Sequence, residues 1–92
     1  MCRNIRTLFN FDPPATDEEI RASALQFVRK LSGFARPSRA NEAAFNGAVD
    51  EVADAARRLL AAMQTNQPPR DRAIEADKAR ARGALRFAAA GR

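Results

Sequence analysis

Apolar residues recur every three to four positions in two long stretches of the chain, a pattern typical of amphipathic α-helices. In the first stretch, residues 16–32, the apolar positions that share one face are Ile20, Ala24, Phe27, Val28 and Leu31. Thr16 and Glu19 have the spacing of a capping box, which predicts that this helix begins at Thr16. Gly33 follows the last apolar position and is placed to end the helix in a left-handed conformation.

The second stretch, residues 38–63, carries the longest apolar stripe of the chain. Its members are Phe45, Ala48, Val49, Val52, Ala56, Leu59, Leu60 and Met63. Either Ser38 or Asn41 could cap this helix, and the pattern alone does not choose between them. Pro68 cannot continue a helix, so the stretch must end before it.

Two weaker patterns flank this pair. At the N-terminus, Ile5, Leu8 and Phe9 have helical spacing and predict one or two helical turns. After Pro68, residues 70–87 predict a C-terminal helix that docks through Ile74 and Leu85.

Together these segments predict an all-α fold, a small helical bundle in a single domain that spans residues 1–92. Its centre is a helical hairpin (about 16–32 and 38–63), joined by the short N-terminal helical turn and the C-terminal helix. We expect the end, about residues 88–92, to be frayed. The bulky core residues expected are the six phenylalanines, Phe9, Phe11, Phe27, Phe34, Phe45 and Phe87.

Composition narrows the range of functions. The chain has no histidine, so the usual general base near pH 7 and the Cys/His zinc sites are both missing. It has no glycine-rich nucleotide-binding loop and no apolar run long enough to span a bilayer. One cysteine can form no disulfide within the chain, which favours a reducing, cytoplasmic setting. We therefore expect no cofactor and no metal site, and lean against an enzyme.

The string MCRNIRTLFNF, followed by PPATDEEI, QFVRKLSGF and NEAAF, resembles the bacterial family catalogued as domain of unknown function 2277. The resemblance covers roughly residues 1–87. It implies no catalytic residue, because the family has no established activity. It also implies that the Met-Cys-Arg-Asn start is the natural N-terminus.

Cys2 has two interpretations. If Met1 is removed, Cys2 carries a free amine beside its thiol, and Arg3 and Arg6 would favour the thiolate. Such a group could sense oxidants, bind a soft metal or act as a nucleophile. The interpretation that we favour is a small apolar residue that packs near Ile5 and Phe9, as most free cysteines do.

Charge is concentrated at the C-terminal end. Residues 67–92 hold seven basic and three acidic side chains, and from Lys78 onward there are five basic groups and no acidic one. Such a stripe could bind a polyanion through Lys78, Arg80, Arg82 and Arg86. A solvated basic face is the simpler explanation of the same pattern.

The sequence thus predicts a non-enzymatic interaction module, which binds a protein partner or nucleic acid weakly through a basic C-terminal surface. A homodimer is compatible with this prediction, and membrane binding is not expected. A thiol-dependent role of Cys2 is the alternative. A third class, a helix-turn-helix DNA reader whose recognition helix starts near Ser38, is disfavoured because residues 38–60 are mostly acidic on their polar face.

Overall fold

Three α-helices make up most of the molecule. The computed structural model describes the backbone of residues 5–90 and the side chains of residues 5–85. The elements in chain order are β1 (Phe11–Asp12), α1 (Asp17–Ser32), a 3-10 turn (Arg39–Asn41), α2 (Glu42–Ala62), β2 (Arg70–Asp71) and α3 (Arg72–Ala90). The predicted small, mostly helical fold is confirmed, with one two-stranded sheet added to it.

The helices α1 and α2 form the predicted antiparallel hairpin. Two ion pairs show their relative direction. Asp17 binds Arg57 and Arg21 binds Asp50, so later residues of α1 lie beside earlier residues of α2. The buried residues between them are Ile20, Ala24, Val28, Phe45, Val49 and Ala53. Ala24 and Ala53 are the most buried members of this small core.

Both ends of α1 follow the sequence signals. The Thr16 hydroxyl accepts from the Glu19 N–H at 3.2 Å, and the Glu19 carboxylate accepts from the Thr16 N–H at 3.0 Å. At the other end Gly33 has φ 77°, and its N–H donates to the carbonyl of Arg29 at 2.9 Å. A side chain at this φ would be strained, so glycine is the residue that suits it.

Neither candidate cap of the second helix acts as one. Ser38 precedes the 3-10 turn and Asn41 precedes α2, and neither side chain caps its helix by a hydrogen bond. Instead the Asn41 amide donates to the Ser38 hydroxyl at 2.8 Å.

The predicted N-terminal helical turn is wrong over the described residues. Residues 5–8 have no regular structure, and Phe11 and Asp12 form β1, which pairs in parallel with β2. Asn10 adopts φ 63°, and its carbonyl accepts from the Arg70 N–H at 2.8 Å. The chain therefore finds its backbone partners in β2, which the apolar spacing of Ile5 and Leu8 could not reveal.

Docking of α3 through Ile74 and Leu85 is also wrong, since both side chains are exposed. The helix starts where the Asp71 side chain accepts from the Ile74 N–H at 3.0 Å, and its first residue, Arg72, contacts Glu19 and Pro13. Ala76 and Ala79 line an open cleft beside Arg72 and Glu19, whereas the larger Ile74 and Leu85 face solvent.

The aromatic part of the core is smaller than the sequence predicts. Phe45 is buried, Phe9 and Phe11 are half-buried, and Phe27 and Phe34 are exposed. The side chain of Phe87 lies outside the described residues, and fraying of residues 88–92 stays a prediction.

Candidate functional site

The most highly connected polar side chain in the described structure is Glu19. Its carboxylate accepts two hydrogen bonds from the Arg72 guanidinium, at 2.7 and 2.9 Å, in the bidentate geometry that arginine favours. Arg6 donates a third, at 2.9 Å. The carboxylate therefore joins the N-terminal segment, α1 and α3.

Local structure holds each partner in place. Glu19 is the third residue of α1, where the capping box with Thr16 fixes its side chain. Arg72 is the first residue of α3, and its Nε donates to the carbonyl of Pro13 at 2.5 Å. The carbonyl of Pro13 thus binds the same guanidinium that binds Glu19.

Arg6, Thr16 and Arg72 all contact Glu19, and we call these four residues the Glu19 cluster. The cluster lowers the pKa of Glu19 from 4.5 to about 2. The hydrogen bonds from Arg72 are the largest cause, followed by the Thr16 N–H, and Arg6 adds to the effect. In return the carboxylate raises the pKa of Arg72. Glu19 is ionised near pH 7 and is too weak a base to accept a proton there, so the geometry favours a structural role for it.

An open cleft of about 340 Å³ adjoins the cluster. Its lining residues are Arg6, Thr7, Leu8, Phe11, Glu19, Arg72, Glu75, Ala76 and Ala79. The guanidinium carbons of Arg70 and Arg72 lie 5.7 and 5.6 Å from the centre of the Phe11 ring, within the range of cation–π attraction. Both of these cations are thereby held by groups of the chain itself.

Asn10 fastens the N-terminal segment to the region before α3. Its side-chain amide lies within hydrogen-bond distance of the carbonyls of Gln67 and Pro68, at 3.4 and 3.2 Å. Together with the β1–β2 pair, this contact fixes where α3 begins.

The four predicted polyanion-binding residues do not form one cluster. Lys78 lies 3.6 Å from Glu75, and Arg80 pairs with Asp77, so each has an acidic neighbour one turn earlier. Arg82 has no ion-pair partner among the described side chains. The side chain of Arg86 lies outside the described ones. Lys78 and Arg82 are four residues apart and share a side of α3, and Arg80 lies on the other side.

The face of α3 turned away from the cleft carries three apolar side chains and one lysine. We call it the outer face and define it by Ile74, Lys78, Ala81 and Leu85. Ile74 is 55 % exposed and Leu85 is 72 % exposed, although both are large apolar side chains.

The proposed thiol site cannot be assembled from the described residues. Cys2 and Arg3 both lie outside them. Arg6 is described, and its guanidinium is directed at Glu19.

The sequence did not predict the long-range contacts of Glu19, Arg72 and Asn10. The spacing of Thr16 and Glu19 predicts only a capping box, so it does not reveal the long-range contacts of Glu19. Asn10 before Phe11, and Arg72 after a proline pair, carry no local pattern that reports their partners. The only available signal was that Glu19 is the capping-box residue and so has a fixed orientation.

Among residues 5–85 no group of three or more potential ligands (Cys, Asp or Glu) could hold a metal ion. None of the described helices combines the length and the hydropathy that a membrane crossing requires.

Comparison with known proteins gives one match. A family model described as an uncharacterized conserved protein, DUF2277, matches residues 1–78. No curated protein and no solved structure matches the chain. The matched region contains the hairpin, Glu19, Arg72 and the first turns of α3, and it ends at Lys78. The chain belongs to the DUF2277 family.

Proposed function

We propose that this protein is a non-enzymatic interaction module that binds a protein partner through the outer face of α3. The observation that carries the proposal is the exposure of Ile74 and Leu85 on one side of this helix. Large apolar side chains that are exposed together on one surface, among polar groups, are a common mark of a protein-binding surface.

The shape of the molecule supports the same proposal. Its radius of gyration is 16.3 Å, whereas a compact domain of this length would have about 12 Å. The extents are 45 × 42 × 15 Å, so the molecule is about one helix layer thick in one direction. No described part of the chain packs over the outer face of α3, and a partner would complete it.

The charges beside the apolar residues indicate what this partner looks like. Lys78 lies within the outer face, and Arg82 lies on its flank. A partner surface that is apolar in the middle and acidic at one edge would complement both features. A nucleic acid fits less well, because Glu75 and Asp77 offset the charges of Lys78 and Arg80.

Photo-crosslinking in cells that produce the protein tests the proposal. A photoreactive phenylalanine analogue at Ala81 reports on the outer face, and the same analogue at Ala55, an exposed position of α2, is the matched control. We expect a covalent protein adduct from position 81, absent from position 55 and lost when Leu85→Asp is added. No adduct, or an adduct equally strong at both positions, would contradict the proposal.

The same experiment would also reveal a nucleic-acid partner. An adduct sensitive to nuclease would favour the polyanion prediction for Lys78, Arg80, Arg82 and Arg86. In that case binding to duplex DNA should weaken with salt, with a log–log slope of roughly −2.7 for three engaged cations.

Two further expectations accompany the proposal. A reducing compartment, the bacterial cytoplasm, suits a chain whose only cysteine is Cys2. A thiol-dependent role of Cys2 stays the alternative, and rapid alkylation of the folded protein would favour it. Alkylation that is slow until the protein unfolds would count against it.

A further inference from the structure

We infer that the protein partner of the outer face is a second copy of this chain, with the two α3 helices packed antiparallel about a twofold axis. This inference rests on the proposed function and adds the identity of the partner. It concerns this chain in particular, because Ala81 and Leu85 lie beyond the residues matched by the family model.

The spacing along the helix suits helix-to-helix packing. Ile74, Lys78, Ala81 and Leu85 follow one another at steps of four, three and four residues. This alternation of steps is close to the average period of about 3.5 that keeps one seam of a helix against a partner helix. Three of the four positions are apolar, so the seam is interrupted once, at Lys78.

An antiparallel alignment resolves that interruption. When Ile74 of one copy lies opposite Leu85 of the other, Lys78 lies opposite Ala81. Alanine is small enough for the methylene stem of Lys78 to lie across it, and the ammonium group can reach water at the edge of the interface. A parallel alignment would instead place Lys78 against Lys78.

The charges along α3 complement each other in the same alignment. Asp71, Glu75 and Asp77 lie in its first half or at its start, and no acidic residue follows Lys78. Glu75 and Arg82 lie on the same flank of the outer face, seven residues apart. Antiparallel packing brings Glu75 of each copy beside Arg82 of the other, within about one turn along the axis. The partner surface deduced from the outer face, apolar with an acidic edge, is thus present on α3 itself.

Such a contact closes at two copies. The same patch is used by both chains, which is the isologous geometry of a twofold dimer. The seam from Ile74 to Leu85 is only about 18 Å long, so the interface is small and a dissociation constant in the micromolar range is expected.

Sedimentation equilibrium of the full chain tests the inference, first with an apolar variant. Leu85→Asp should raise the dissociation constant about 100-fold or more, because it places a carboxylate in the seam. Leu31→Asp is the matched control, because Leu31 is also 72 % exposed but lies on α1. We expect this control to leave dimerisation unchanged, and circular dichroism must show that both variants remain helical.

A charge-exchange experiment tests the alignment itself. Glu75→Lys alone places a second cation beside Arg82 of the other copy, and Arg82→Glu alone places a second carboxylate beside Glu75. Each variant should therefore dimerise at least about 10-fold more weakly. An equimolar mixture of the two variants brings opposite charges together in the contact where each altered residue meets the other. We expect the mixture to associate more tightly than either variant alone, which a merely destabilised fold would not produce.

The outcomes separate the two proposals. A chain that stays monomeric at the highest concentrations measured overturns the inference, and so does a mixture that associates no better than its components. If the position-81 crosslink then joins a different protein, the proposed function stands without the dimer. If position 81 forms no adduct and the chain is monomeric, both proposals are wrong.

Discussion

Glu19→Gln is the substitution that best tests how the three segments are held together. The change keeps the shape of the side chain and its place in the capping box, which accepts glutamine as well as glutamate. It removes the negative charge that Arg72 and Arg6 share. We therefore expect the helices to stay intact and the contact between α1 and α3 to weaken.

The magnitude follows from the pKa of Glu19. A fall in pKa from 4.5 to about 2 corresponds to at most about 3.5 kcal/mol of stability, because each pKa unit is worth about 1.4 kcal/mol. The Arg6 side chain is 63 % exposed, so water and salt screen its share of the interaction. We expect Glu19→Gln to lower the free energy of unfolding by about 1–2 kcal/mol near pH 7.

The pH dependence has a definite sign. Because the folded pKa is lowered, the stabilisation is present above pH 4.5 and is lost as the pH falls toward about 2. Urea unfolding followed by helical circular dichroism at about pH 7 and about pH 3 measures it. The unaltered protein should lose more stability between these values than Glu19→Gln does.

Glu18→Gln is the matched control. Glu18 is the neighbouring residue in the same first turn of α1, and its side chain is exposed. It should behave like the unaltered protein in its pH dependence. Equal loss of stability on acidification in the Glu19→Gln variant and the unaltered protein would refute the role assigned to this carboxylate.

Three further substitutions have expected outcomes that denaturant unfolding can check. Phe45→Ala should cost about 3 kcal/mol, because Phe45 is 7 % exposed, whereas Phe27→Ala, at 43 % exposed, should cost under about 1 kcal/mol; equal costs would contradict the assigned core. Gly33→Ala should cost about 1 kcal/mol, because a side chain is strained at φ 77°, while the added methyl meets no atom within 4 Å apart from those of the adjacent backbone; an unchanged stability would show that the strain is absent. Arg72→Lys should destabilise the protein, because lysine replaces neither the bidentate contact with Glu19 nor the bond to the carbonyl of residue 13; full stability in this variant would argue against that geometry.

The hairpin could be predicted from the sequence because its signals are local. A capping box, a C-terminal glycine and a stripe of apolar residues at helical spacing all lie within the segments that they define. The extent of the core was overestimated for a physical reason. The apolar stripe of α1 is wider than the strip that α2 covers, so Phe27 and Leu31 stay exposed.

The rest of the fold depends on contacts between distant residues. β1 pairs with a strand 59 residues later in the chain, and Arg72 reaches Glu19 across 53 residues. Two-residue strands have no periodicity that a sequence pattern could reveal. The same is true of the cluster: Glu19 and Arg72 were both visible as charges, but nothing local indicated that they meet.

The long separation between β1 and β2 also has a consequence for the order of folding. The first contacts of the α1–α2 hairpin can form close to the loop that joins the two helices, whereas the β1–β2 pair joins residues 59 apart and so costs somewhat more chain entropy. Folding rates fall as contacts become less local, so the hairpin should form first and the strand pair should join it later. Amide hydrogens of α3 should accordingly exchange through a lower-energy opening than those of α2, with Asn10, Arg72 and Glu19 at the boundary between two cooperative units.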